Sequence, residues 1–150
     1  MIHSAGIVVI DWENEQPTVL CVRAYSNWDF PKGRLEPNES LVAAAVRELM
    51  EETNISVGPD ARLVGITAPS VTYGSGNKRK TATYFLADRI SDKEPYLPIN
   101  PELGKPENDE YRWVPVSQID KLLPARLLPV TTFVEGWVYD NEKNIGDPSV

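Results

Sequence analysis

The sequence predicts a mixed α/β fold, with a sheet lying between helices. Three observations carry that expectation. Two apolar runs near the N-terminus read as strands, residues 38–53 show helical periodicity, and a second helical stripe occurs near the C-terminus. Strands and helices do not alternate regularly, which argues against a doubly wound sheet. The chain has 150 residues, enough for one domain with its own core. We place that domain at residues 1–140 and expect a polar tail at 141–150.

The elements follow in order. Ser4 to Trp12 is a strand around the run Gly6-Ile7-Val8-Val9-Ile10, and Pro17 to Ala24 is a second. The polar stretch Glu13-Asn14-Glu15-Gln16 joins them as a hairpin. Tyr25 to Pro37 reads as a loop. Asn38 or Glu39 opens a helix, with Leu41, Val42, Ala45, Val46 and Leu49 as its apolar face. Asn54 ends it in a left-handed conformation. Ala61 to Ala68 and Arg79 to Asp88 are strands, with a loop at Val71 to Lys80. Pro98, Pro101 and Pro106 make Leu97 to Asp109 an irregular surface segment. Glu110 to Val114 is a short strand, and Ser117 caps a brief helix through Leu123. Pro129 starts a last helix, with Val130, Phe133, Val134, Trp137 and Val138 along one side.

Composition narrows the function classes. A net charge of −7 argues against a non-specific DNA or RNA binder. No apolar run is long enough to span a bilayer, and no leader pattern is visible at the N-terminus. The single cysteine, Cys21, fits a reducing, cytoplasmic setting. One histidine, His3, leaves His-based triads and zinc sites short of parts.

Glu48, Glu51 and Glu52 crowd the end of the central helix. At about 100° per residue they fall on one side of it, expected to lie opposite the apolar stripe. Such repulsion suits a hard divalent cation, which takes oxygen ligands. Taken alone, a Glu-rich helix face is more often solvated surface. The wider spacing shifts that balance. Gly33 is followed by Glu39, then Arg47-Glu48, Glu51-Glu52 and Ile55. Fixed residue types at these positions coincide by chance on the order of once in ten million starting points.

Gly33 to Ile55 resembles the Nudix box of hydrolases acting on nucleoside diphosphates linked to another moiety. Asn54 stands where the family pattern has glycine, and asparagine also tolerates a left-handed helix end. The resemblance implies a Nudix-type α/β/α sandwich and attack of water on a phosphorus of a pyrophosphate bridge. It assigns Mg²⁺ or Mn²⁺ to Glu48, Glu51 and Glu52, with the Lys32 backbone carbonyl as a further ligand. Glu39 and Arg47 orient the loop and helix.

Three flanking stretches bear on substrate. "NWDFPKGRLEP" is similar to diadenosine polyphosphate hydrolases and their diphosphoinositol polyphosphate relatives, and offers Lys32 and Arg34 to phosphate. "ENDEYRWVP" resembles the acidic loop of diadenosine tetraphosphate hydrolases. That likeness makes Glu107 an added base or metal ligand, with Asp109 and Glu110 as competitors. Tyr73 lies 18 residues past Ile55, a spacing that marks dinucleoside polyphosphate hydrolases. Pro69 lies 14 past it and marks ADP-ribose hydrolases instead. Lys78, Arg79 and Lys80 form a basic cluster suited to a polyphosphate tail, and Tyr84 either lines the pocket or packs in the core.

The expected activity is metal-dependent hydrolysis of a dinucleoside polyphosphate, with diadenosine tetraphosphate foremost. Alternatives are an RNA 5′ pyrophosphohydrolase, or a hydrolase of diphosphoinositol polyphosphates or modified nucleoside triphosphates. A catalytically silent nucleotide-binding module is the rival of another class. The expected partners are a small nucleotide or an RNA 5′ end, without DNA or membrane. The expected assembly is a monomer or homodimer.

Overall fold

The computed structural model describes residues 1–146 of the backbone. Its main sheet is built on β1 (Ile2–Asp11), which pairs in parallel with β7 (Lys80–Arg89). The other strand pairings among the described residues are antiparallel, so the sheet is mixed. The central order is β10 (Glu110–Pro115), β2 (Thr18–Ala24), β1, β7, β5 (Ala61–Thr67). Three short strands attach beside this path. They are β3 (Asn27–Asp29) on β2, β4 (Lys32–Arg34) on β1 and β6 (Val71–Tyr73) on β7. β8 (Ile99–Asn100) and β9 (Lys105–Pro106) form a small separate ladder.

The apolar run of β1 is continuous because both faces of the sheet are covered. Ala5, Ile7 and Val9 pack with Ala44, Ala45 and Leu49 of α1 (Leu41–Thr53). Val8 and Ile10 face the other way, towards Val130, Val134 and Val138 of α3 (Leu128–Gly146). The short α2 (Ile119–Leu122) adds Ile119 to that second core. The α/β/α sandwich expected from sequence is therefore present.

β1 serves two partners on one edge. Its second half pairs with β2 and its first half with β4. Gly6 makes the β4 contact possible, because a Cβ there would sit 2.4 Å from the Pro31 carbonyl oxygen. The ladder uses Ile7–Pro31, Ala5–Gly33 and His3–Leu35 as its bonding pairs. By alternation, the N–H and C=O of Lys32 and Arg34 point away from β1.

Several local expectations are corrected. The helix begins at Leu41, with Ser40 as N-cap accepting from the Ala43 N–H at 3.1 Å. Asn38 instead turns the chain at φ 65°. Leu41 and Val42 are 37% and 39% exposed, and the buried face of the helix begins at Ala44. Glu48 and Glu52 lie on the buried side with Ala45 and Leu49, not opposite them. Tyr25–Pro37 contains β3 and β4, and the 71–80 loop contains β6 and one 3-10 turn. Ser117 caps nothing; a 3-10 turn at Val116–Gln118 leads into α2. α3 runs through Gly146, so the first six residues of the expected tail continue the helix. The remainder lies outside the described residues.

Asn54 does end α1 in the left-handed region, at φ 62°, with its N–H on the Met50 carbonyl at 2.9 Å. Glycine relieves left-handed strain but loses more entropy on folding. Asn54→Gly is therefore expected to change unfolding free energy by less than about 1 kcal/mol, checked by urea titration. Cys21 is a buried free thiol whose pKa is pushed up by burial, so it is inert. No helix among the described residues is long and apolar enough to cross a membrane.

Candidate active site

The site forms where the second half of α1 meets β4. Gly33 is the contact point. A Cβ at Gly33 would lie 2.1 Å from the Glu48 carboxyl carbon, so only glycine lets this carboxylate close onto the strand. Glu52, one turn further on, is also buried. Glu107 comes from the loop before β10. Glu48, Glu52 and Glu107 each offer an oxygen, all within 4.8 Å of one another.

Their electrostatics are uncomfortable without a cation. Burial pushes Glu52 well above the usual carboxylate range, and the Asn108 amide only partly opposes it. Burial also raises Glu48, offset by Arg47. Glu107 is raised by burial and lowered by the Lys32 ammonium. Asn108 Nδ2 donates to Glu52 Oε1 at 2.9 Å. Glu52 Oε2 is buried and has no hydrogen-bond partner among the described residues. A buried carboxylate oxygen left unpaired beside two more carboxylates suits a hard divalent cation. The Lys32 N–H faces the same Glu52 carboxyl and lowers it, and the Lys32 carbonyl, on the same side of the strand, is not used by the β1 ladder.

Arg47 organises the rim. Its Nε and Nη2 clamp Glu39 at 2.8 and 2.9 Å, and Nη2 also donates to the Arg34 carbonyl at 2.9 Å. Nη1 donates to Glu48 at 2.8 Å and to Glu51 at 3.1 Å. Glu51 lies outside the close trio, although it lines the same cleft. The Arg47 hydrogen bonds hold the Glu39 carboxyl at about 2, below its ordinary 4.5. A lowered carboxyl stabilises the fold above its unfolded pKa, and that contribution disappears as pH falls through the folded one. Melting of the wild type and Glu39→Gln should thus differ above pH 4.5 and converge towards pH 2.

The other expected residues divide into three groups. Asp109 and Glu110 turn away from the trio to Arg23, at 2.8 and 3.4 Å. Arg34, Tyr73, Lys78 and Lys80 meet around a second, basic pocket of about 480 Å³. Arg79 is exposed, and its carbonyl accepts from Ile2. Tyr84 is fully buried, so it has no surface for a substrate; its hydroxyl donates to Asp29 at 2.8 Å. Asp29 also accepts from Arg126 at 3.2 Å and pairs with Lys32 at 3.7 Å. The Arg126 guanidinium lies 4.5 Å from the Tyr73 ring centre.

Asn108, Asp29 and Arg126 escaped the sequence reading. Nothing in their spacing marks them. Asn108 had one signal, its place beside the acid expected to reach the metal.

This is an α/β/α sandwich built around a carboxylate-bearing helix whose acids converge with one from a distant loop. Residues 2–132 match the family model described as the NUDIX domain. An RNA pyrophosphohydrolase of Shigella boydii is 31% identical over 137 residues, covering 77% of this chain and 72% of that protein. The asymmetrical bis(5′-nucleosyl)-tetraphosphatase of Sus scrofa is 31% identical over 96 residues, covering 64% and 60%. Among solved structures, a C. elegans Ap4A hydrolase binary complex superposes with a TM-score of 0.75 at 23% identity, covering 91% of this chain and 99% of that one. The chain belongs to the NUDIX family and is a Nudix hydrolase.

Proposed function

We propose that the protein cleaves a pyrophosphate linkage in a dinucleoside polyphosphate, diadenosine tetraphosphate foremost, with Mg²⁺ or Mn²⁺ as cofactor. The observation that carries the hydrolytic site is the buried Glu52 Oε2, without a hydrogen-bond partner among the described residues, beside Glu48 and Glu107. Glu48, Glu52 and Glu107 would hold the cation, with Glu51 and the Lys32 carbonyl at its edge. A bound divalent ion supplies a more acidic water and neutralises phosphate oxygens. Glu107 is the most exposed of the trio and takes the proton from the attacking water. The oxygen of that water bonds to phosphorus, and the bridging P–O bond breaks with its electron pair on the leaving phosphate. Lys32, steadied by Asp29, stands beside the phosphates.

The basic pocket of Arg34, Tyr73, Lys78 and Lys80 supports a nucleotide with a long phosphate chain. The 31% identity to a tetraphosphatase supports the dinucleoside class. The reducing cytoplasm is the setting that fits its single, buried thiol.

A second reading, the 5′ end of triphosphorylated RNA, is favoured by one observation. The relative named for RNA pyrophosphohydrolysis covers 77% of this chain, more than the tetraphosphatase does.

The test is product analysis with Mg²⁺ on diadenosine polyphosphates, ADP-ribose, nucleoside triphosphates, a diphosphoinositol polyphosphate and 5′-triphosphorylated RNA. ATP plus AMP from diadenosine tetraphosphate, faster than any other turnover, supports the proposal. A faster release of pyrophosphate from RNA replaces it with the second reading. Glu107→Gln should lower kcat by about 10²-fold or more with a smaller change in KM, in steady-state assays. Equal loss in Glu110→Gln would move the base along the loop.

A further inference from the structure

We propose that the cleft between the end of α1 and the segment bearing β8 and β9 binds the second nucleoside of the substrate, the one beyond the phosphate bridge. This rests on the dinucleoside reading above. The cleft has a volume of about 530 Å³ and runs along Glu51, Glu52 and Glu107. Any group tethered to a phosphate at the trio therefore reaches it without leaving the protein surface.

Apolar side chains line both of its walls: Met50 on α1, and Pro98, Ile99 and Pro101 on the facing segment, with Asn54 also in the lining. Met50 is 42% and Ile99 63% exposed, and neither belongs to the two cores. Large apolar side chains gathered in a concave place mark a binding surface more than an accident of exposure. Two prolines fix the backbone of the facing segment, so little ordering is needed when a ligand arrives.

Charge selects the occupant. The described lining carries no lysine or arginine, and Glu102 adds to the three acids. Beyond the trio, where a cation would sit, a free phosphate has nothing to hold it. An uncharged ring does: it lies flat on Met50 and Ile99 and presents its edge to the Asn54 amide. The basic pocket lies at the other end of β4, where Arg34 follows the Gly33 that touches Glu48. A substrate with a nucleoside at each end then runs its phosphates from the trio towards that basic pocket and leaves its second nucleoside to the cleft. A mononucleotide leaves the cleft empty.

The experiment compares diadenosine tetraphosphate with adenosine 5′-tetraphosphate, which lacks the second nucleoside. It uses the wild-type chain, Ile99→Ser, Met50→Ala and the double variant, with thermal melting to show that each folds. The ratio of kcat/KM for the dinucleotide to that for the mononucleotide should fall by about tenfold or more in the double variant. The Kd of a methylene-bridged diadenosine analogue, by calorimetry, should rise by a similar factor. An unchanged ratio and Kd overturn the cleft assignment and leave the dinucleoside reading standing. A wild type with no preference for the dinucleotide also overturns it. If the wild type cleaves neither compound, the substrate reading has failed and the cleft assignment falls with it.

Discussion

Glu52→Gln is expected to cut turnover by roughly two to three orders of magnitude without loosening the fold. Glu52 is buried, and its Oε2 has no partner among the described residues. A charge in that position is costly for the chain alone and useful only to a cation. Glutamine keeps the shape. Its carbonyl still accepts from Asn108, the bond that Glu52 Oε1 accepts at 2.9 Å. Its NH₂ replaces the unpaired oxygen and can donate to Glu48 or Glu107, whose oxygens lie within 4.8 Å. Melting without metal should therefore be unchanged or higher. Added Mn²⁺ should raise the melting temperature of the wild type but hardly that of the variant, because only the wild type has the binding energy to gain. Near wild-type turnover would refute the metal-site assignment. A variant that melts markedly lower without metal would show that the Glu52 charge is structural.

The two properties of Glu52 differ in how far sequence reveals them. Its place in the box is visible in a run of residues, and so is the hydrolytic class. Its burial is not, because carboxylates on a helix read as solvent-facing. The apolar pattern points to Leu41 and Val42, but the sheet supports only the later turns of α1, and the site occupies the end of that contact. Pairing across the sheet separates Glu107, which lies with Glu48 and Glu52, from Asp109 and Glu110. The register of β10 on β2 sets Glu110 opposite Arg23, and Asp109 follows it to the same arginine. The Asp29 cluster joins residues 55 and 97 apart in the chain, a distance no local pattern spans. The last turns of α3 carry mostly polar residues and read as a tail. In the fold they propagate from a start already packed on the core, where adding a turn needs no new nucleus.

Arg47→Ala is expected to be the most damaging change to stability at the site. It should cost about 2 kcal/mol at neutral pH, measured by urea titration. Part of the rim faces solvent, so the cost is below that of a fully enclosed ion pair. The fork reaches Glu39, Glu48, Glu51 and the Arg34 carbonyl together. Its loss leaves the buried Glu48 charge facing Glu52 and Glu107 without the cation that offsets them. It also frees β4 from α1, since the Arg34 carbonyl is one of the ties between them. Turnover should fall by about 10-fold to 100-fold, the usual cost of releasing a residue that orients a metal ligand. Lysine is the discriminating substitution. It restores the charge but not the fork, and a point charge cannot bind both Glu39 oxygens while holding Glu48 and Arg34. If net charge alone mattered, Arg47→Lys would recover most of the stability and activity. If orientation matters, as the Glu39 clamp at 2.8 and 2.9 Å requires, Arg47→Lys should recover part of the stability and little of the turnover.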